Sequence, residues 1–341
     1  MERFKVGYRE GLAYDPFRQN WSNDGRRPIR WHAWYAAASD VVDRPFAVPS
    51  TSPRFLMGTV AHNAPINEKC RQYPVVLLSH GTGGTATSLG WMAQALAAAG
   101  YVVIGVDHHG NTASEAYRPE GFLCWWERPP DLSVALDLLA NEGFLAGRLD
   151  ISRVACVGFS LGGYTALSIL GAITEMDRFN EWAGSSRFGR GPREFPDLGN
   201  HTELLLRRSA VFRTSWERQA ASFVDPRISA AVVLAPAPPV RAFTPKSLAQ
   251  IATPVTLLVG ESDHEAPMES CAMWLAEQLP SCELFSLGLQ AGHYTLLCEG
   301  TEEGRTLEPE IYIDAPGVDR QQVHKHAIKI ALEALGTNLS T

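Results

Sequence analysis

The chain has 341 residues, 45% hydrophobic and 20% charged, the balance of an ordinary folded globular protein. Its net charge of -7 comes from interleaved acids and bases, so no basic stripe for nucleic acid and no charged disordered tail is present. No run approaches the roughly 18 uninterrupted apolar residues of a membrane helix, and Met1-Glu-Arg-Phe-Lys-Val-Gly7 lacks the apolar core of a signal peptide.

The six cysteines (Cys70, Cys124, Cys156, Cys271, Cys282, Cys298) form no C-x-x-C pair and no dense framework. A reducing, cytoplasmic compartment is therefore expected. In chain order, Ile29-Arg-Trp-His-Ala-Trp-Tyr35 roughly alternates and predicts an antiparallel strand, with weaker strands at Phe4–Tyr8 and Phe55–Thr59. From Pro74 the pattern changes to unbroken apolar runs: Val75–Leu78, Tyr101–Val106, Val154–Val157, Ala230–Leu234 and Val255–Val259. Such runs suit parallel strands buried on both faces. Helical patterns lie between them, at Ser88–Ala99, Leu132–Ala140, Leu161–Leu170 and Met268–Leu279, and a closing helix fits Val318–Leu335 with Gly336 as its stop. This alternation predicts an α/β fold: one mostly parallel sheet, helices on both faces, and an N-terminal antiparallel extension. Residues 1–341 read as one domain, but residues 174–225 are too long for a plain connection and predict an inserted cap. That span carries a Gly/Ser/Arg-rich patch at Gly184–Gly191 and a helical pattern at Glu203–Phe223.

The chemistry concentrates at strand ends. Gly158-Phe159-Ser160-Leu161-Gly162-Gly163 reads G-x-S-x-G between an apolar strand and a helix, the context a nucleophile elbow requires. A serine hydroxyl is a poor nucleophile near neutral pH, so it needs a base, and the base needs a carboxylate to hold its tautomer. Downstream, Val255–Val259 runs into Gly260-Glu-Ser-Asp-His-Glu265, which offers Asp263 as the acid, with Glu261 and Glu265 as flanking alternatives. After a further strand at Glu283–Leu287, Ala291-Gly-His293 supplies the base. Upstream, Ser79-His-Gly-Thr-Gly-Gly84 follows the first parallel strand, and the backbone N–H groups of Thr82 and Leu161 would form an oxyanion hole. His80 reads as a brace for that loop. Asp107-His108-His109 invites a metal reading, but adjacent histidines on a strand end point apart, so loop structure is expected and no metal. Trp125 and Trp126 are candidates for lining an acyl pocket, with plain core packing as the alternative.

The chain resembles α/β-hydrolases, and more narrowly the platelet-activating-factor acetylhydrolases and predicted dienelactone-hydrolase-like proteins. The likeness rests on Pro28–Tyr35, Leu78–Gly84, Val106–Asn111, Arg128-Pro-Pro-Asp131, Gly158–Leu167, Asp225–Ile228 and Ala291–His293. It implies an α/β-hydrolase fold and a serine esterase acting on a small-molecule ester, short acyl chains favoured, without a cofactor. Amidase, lactonase or acyltransferase chemistry would use the same groups. Dienelactone hydrolases carry cysteine where this chain has Ser160, which favours ester hydrolysis. Phe159 stands where relatives often have His, and Ala36 where the pattern has Pro.

Overall fold

A computed structural model describes residues 3–186, 188 and 191–339. Positions 187, 189 and 190 of the Gly/Ser/Arg-rich patch lie outside the described residues, as do Met1 and Glu2 of the N-terminal segment. The strands are β1 (Val6–Gln19), β2 (Arg26–Ala36), β3 (Arg44–Val48), β4 (Phe55–His62), β5 (Tyr73–Ser79), β6 (Val102–Asp107), β7 (Leu149–Phe159), β8 (Ile228–Leu234), β9 (Val255–Val259), β10 (Cys282–Ser286) and β11 (Glu299–Gly300). They form one sheet in the order β10-β9-β8-β7-β5-β6-β2-β1-β4-β11, with β3 on β4.

The run from β10 to β6 is parallel, and all of its strands but the edge strand β10, which carries Glu283, are the segments whose apolar stretches are unbroken. Their side chains alternate between two cores. On β5, Val75 and Leu77 enter one cluster while Val76 and Leu78 enter the other. On β7, Val154 and Cys156 face the first, and Ala155 and Val157 the second. Each fully buried Val or Leu contributes about 1.5–3 kcal/mol, so both helix layers are required. Cys156 is a small apolar filler: burial pushes its thiol up to about 12.

The antiparallel part sits at the N-terminal side. β2 pairs β6 with Arg30 opposite Asp107, and β1 pairs β2 over most of its length. β1 extends well past Tyr8, where Gly11, Asp15 and Pro16 disguise it in the sequence. Asp15 caps the chain there, accepting from the Phe17 and Arg18 N–H groups at 2.7 and 3.0 Å. At the far edge, Leu56 of β4 lies opposite Glu299 of β11.

Four helices differ from expectation, among them Met268–Leu279, which is a π-helical turn over Glu269–Met273 followed by the α-helix Trp274–Gln278. The first helix of the chain is a 3-10 turn over Ala86–Leu89 followed by the α-helix Gly90–Ala98. The pattern at Glu203–Phe223 breaks into Thr202–Arg208 and Ala210–Glu217, because Ser209 turns extended and its hydroxyl accepts from Phe212 N–H at 3.2 Å. The closing helix, Arg320–Asn338, runs through Gly336 instead of stopping there. A glycine inside a helix costs only about 1 kcal/mol, and the Thr337 and Asn338 side chains bond back to the Glu333 and Ala334 carbonyls at 2.9 and 2.8 Å.

Candidate active site

β7 ends at Phe159, the helix Leu161–Ser168 begins two residues later, and Ser160 makes the turn alone at φ 55°, ψ -117°. A non-glycine residue there is strained, by on the order of 1–3 kcal/mol, and holds its side chain clear of strand and helix. The turn closes only because its flanks lack side chains. A Cβ on Gly158 would lie 2.0 Å from the Gly162 carbonyl oxygen, and one on Gly162 would lie 2.0 Å from the Ser79 carbonyl oxygen. Ser160 N–H bonds Leu234 O at 2.9 Å, tying the turn to β8.

Ser160 Oγ lies 2.9 Å from His293 Nε2, and His293 Nδ1 lies 2.7 Å from Asp263 Oδ2. The second Asp263 oxygen accepts from Ala266 N–H at 2.7 Å, which leaves the carboxylate no freedom to rotate. All three groups are buried. With Nδ1–H given to Asp263, Nε2 is the basic nitrogen facing the hydroxyl. The loops carrying acid and base are bonded to each other: Ser262 N–H to Ala291 O at 3.1 Å and Glu261 N–H to Gly288 O at 3.1 Å. Of the alternative acids, Glu261 turns away to accept from Ser286 Oγ at 2.5 Å. Glu265 is a charge neighbour of Tyr294 and Glu194. His293 opens a short helical turn whose Thr295 donates to Asp314 Oδ1 at 2.7 Å, and Arg320 holds Asp314 at 2.8 Å. Sequence reasoning missed Thr295, Asp314 and Arg320.

The loop Gly81–Gly84 comes within contact of Ser160, whose Cβ is 3.1 Å from where a Gly81 side chain would begin. His80 sets its shape. His80 Nε2 faces the His108 backbone N–H at 3.1 Å, and an amide can only donate, so Nε2 accepts and Nδ1 carries the proton. Nδ1–H then donates to Gly81 O at 2.6 Å. In a trans peptide the N–H points opposite its carbonyl, so this bond fixes the direction of Thr82 N–H. Burial, reinforced by Arg128 and His108, holds His80 well below the usual histidine range and keeps it neutral. Asn111 Oδ1 accepts from Gly83 N–H at 2.6 Å, and Tyr117 Oη donates to Gly83 O at 2.8 Å. Leu161, the other amide expected in the hole, is the first residue of the elbow helix.

Asp107, His108 and His109 point three ways. Asp107 Oδ1 accepts from Ala86 N–H at 2.8 Å, His108 bridges Ser79 Oγ (2.9 Å) and Asp131 Oδ2 (3.0 Å), and His109 Nδ1 meets Glu115 at 2.6 Å. Among the described residues, no group of three or more His, Cys, Asp or Glu side chains could hold a metal ion. The tryptophan pair is core. Trp126 is fully buried, gives its N–H to Ser215 O at 2.8 Å and packs on Trp216, so it has no surface for a ligand as the sequence suggested. Trp125 is buried too, its ring against Tyr164 and Phe179.

The insertion of residues 174–225 reaches this edge of the sheet. Glu194 has its Cγ 2.8 Å from where a Gly83 side chain would begin, Phe195 packs on Phe122, and Arg193 bonds Glu310 at 2.8 Å. Burial raises the Glu194 carboxyl above its ordinary range, and the negative Glu265 adds to the effect.

The alpha/beta hydrolase family model matches residues 75–301, most of the chain, which therefore belongs to that family. Within it, the chain is 36% identical over 93 residues to Cutinase 2 of Thermobifida cellulosilytica and, over the same length, to Cutinase cut1 of Thermobifida fusca. Those matches span 27% of this chain but only 32% and 26% of the two cutinases, so the chain covers about a third or less of their length. The fold is that of a ferulic acid esterase from Streptomyces cinnamoneus, with TM-score 0.65 and 18% identity over 98% of this chain and 90% of that one. No helix among the described residues is long and apolar enough to cross a membrane.

Proposed function

We propose that this protein is a serine carboxylesterase, and the observation that carries the reading is the continuous relay Ser160–His293–Asp263 at a strained elbow. Ser160 Oγ attacks the ester carbonyl carbon while its proton passes to His293 Nε2. The tetrahedral oxyanion is held by the Thr82 and Leu161 N–H groups. Collapse breaks the bond to the alcohol, which leaves with the proton from His293. Water, deprotonated by the same nitrogen, then cleaves the acyl-enzyme and restores Ser160. Asp263 accepts from His293 Nδ1–H and orients the ring. The chemistry is proton transfer and electrostatics, so no cofactor is called for.

The cutinase-like stretch supports ester substrates, and the motif residues from Pro28–Tyr35 to Ala291–His293 support the narrower likeness to acetylhydrolases and dienelactone-hydrolase-like proteins. We assign residues 174–225 the role of a cap that limits the acyl chain to short lengths, because Glu194 and Phe195 stand over the Gly83 and Phe122 side of the site. Cysteine spacing favours a reducing compartment.

A fluorophosphonate should label Ser160, and nitrophenyl acetate should be hydrolysed with a burst. Ser160→Ala should abolish labelling and lower kcat on the order of a millionfold, about 8 kcal/mol, with the fold intact. A folded Ser160→Ala protein with near-normal turnover sinks the reading. Faster cleavage of matched anilides or lactones redirects it to an amidase or lactonase.

A further inference from the structure

Arg128, the first residue of the motif Arg128-Pro-Pro-Asp131, has no part in the relay, yet it is one of the largest fully buried side chains in the protein. Its Nη2–H donates to the carbonyl oxygen of His80. Nε and Nη1 have no hydrogen-bond partner among the described residues. The carboxylate nearest along its own helix is spent elsewhere. Asp131 Oδ1 accepts from Arg18 at 2.6 Å and Arg27 at 2.7 Å, and Oδ2 accepts from Arg27 at 2.9 Å and faces His108 at 3.0 Å. Glu127 is likewise held by Arg18 and Arg218.

Burying a guanidinium without a contacting carboxylate is expensive, and a chain serving stability alone would place an apolar residue there. Among the described residues, both polar contacts of Nη2 are with His80 at the head of the oxyanion loop: the bond to its carbonyl oxygen and a 3.4 Å approach to Nδ1. We propose that Arg128 is a positioning residue: it pins the carbonyl of the His80–Gly81 peptide and so holds His80, whose Nδ1–H fixes the following Gly81–Thr82 peptide for the oxyanion. This deepens the esterase reading and rests on it. The surrounding charges agree. Burial lowers the pKa of Arg128, Asp131 offsets part of that, and Arg27 and Tyr164 are its other charged or titratable neighbours. A neighbouring cation also disfavours protonating His80, which faces Arg128, His108 and Asp107. The Nδ1–H donor to Gly81 is thereby kept.

The test compares the unaltered protein with Arg128→Met, Arg128→Gln and Arg128→Lys, using matched oxo- and thionoesters, whose rate ratio reports how well a hole of N–H donors fits an oxyanion. Arg128→Met should cut kcat about ten- to a hundredfold with KM little changed, and should shrink the oxo-to-thiono ratio by a similar factor. Lysine, which keeps the charge and a donor for the His80 carbonyl, should restore both to within about threefold, the criterion we set for rescue. Where Arg128→Met does not fold, Arg128→Gln against Arg128→Lys carries the comparison. An unchanged ratio in a folded Met or Gln variant, or a Lys variant as slow as the Met one, overturns the inference. Fluorophosphonate labelling separates the two failures: equal rates in the unaltered protein and Arg128→Met overturn only the role of Arg128, and no labelling of either overturns the esterase reading with it.

Discussion

Phe159 and His293 pack ring against ring, with centroids 4.8 Å apart and planes inclined by 36°. The residue before the nucleophile therefore forms one wall of the base's slot, and the ring can tilt only by displacing Phe159. Here an apolar ring makes the contact.

That wall can be loosened without emptying it. Phe159→Leu keeps an apolar side chain but gives up an aromatic contact of about 0.5–1.5 kcal/mol. We expect kcat to fall roughly three- to tenfold at constant KM, with thermal stability reduced by a few degrees. Unchanged kcat in a folded Phe159→Leu protein would show that His293 is held by Asp263 alone.

The choice of acid is tested by isosteric amides. Asp263→Asn should lower kcat by about ten-thousandfold, because an amide forces the wrong imidazole tautomer. Glu261→Gln, which disturbs only a bond to Ser286, should stay near the parent rate. Glu265→Gln should also stay close, and a ranking with either Glu above Asp263 would reassign the acid.

A different histidine predicts the alkaline limit of stability. His32 is buried with Nε2 3.2 Å from Asp107 and Nδ1 2.7 Å from Tyr8 Oη, and Glu10 lies 3.4 Å away. Burial opposes its protonation, but Asp107 and Glu10 outweigh it and raise the ring to about 9. A pKa raised on folding contributes stability in full below the unfolded value of about 6.5, and the contribution is lost as pH rises through about 9. The melting temperature should therefore drop between pH 7.5 and 10, and His32→Gln should flatten that drop. Parallel curves for the two proteins would refute the assignment.

Acyl length tests the cap. Values of kcat/KM for acetyl, butyryl, octanoyl and palmitoyl esters should peak at the short end, since each methylene gains at most about 0.8 kcal/mol and only where apolar surface receives it. Arg193 ties the insertion to Glu308 and Glu310 from an exposed position. Arg193→Ala should cost little stability, as surface pairs do, yet shift the optimum toward longer chains. A parent profile rising to palmitoyl would replace the cap with a lipase-like groove.

That Ser160, Asp263 and His293 come together was legible because each follows a strand of the parallel run, where a short motif has a known place in space. The glycine loop was legible as a cluster and His80 as its brace, but the buried charges behind them were not. Arg18, Arg27 and Asp131 converge from segments about a hundred residues apart, and nothing local marks them as partners. For Trp125 and Trp126 the sequence left pocket and core both open for the same reason. An aromatic pair beside the site and one beneath it read alike until Ser215 is seen to take the Trp126 N–H. The helix stop at Gly336 failed because side-chain bonds from Thr337 and Asn338 outweigh one glycine.

The pairing of Leu56 with Glu299 joins positions more than two hundred residues apart in the chain, just beyond the turn that carries His293. A contact of such separation must pay its loop-closure entropy before it returns anything, so it belongs to the slow end of folding. Ser160 and its elbow come from neighbouring parallel strands, whereas the turn that carries His293 leads directly into this long-range pairing. Refolding followed by ester turnover should consequently lag behind refolding followed by burial of the central strands, and the enzyme reports on its own completion.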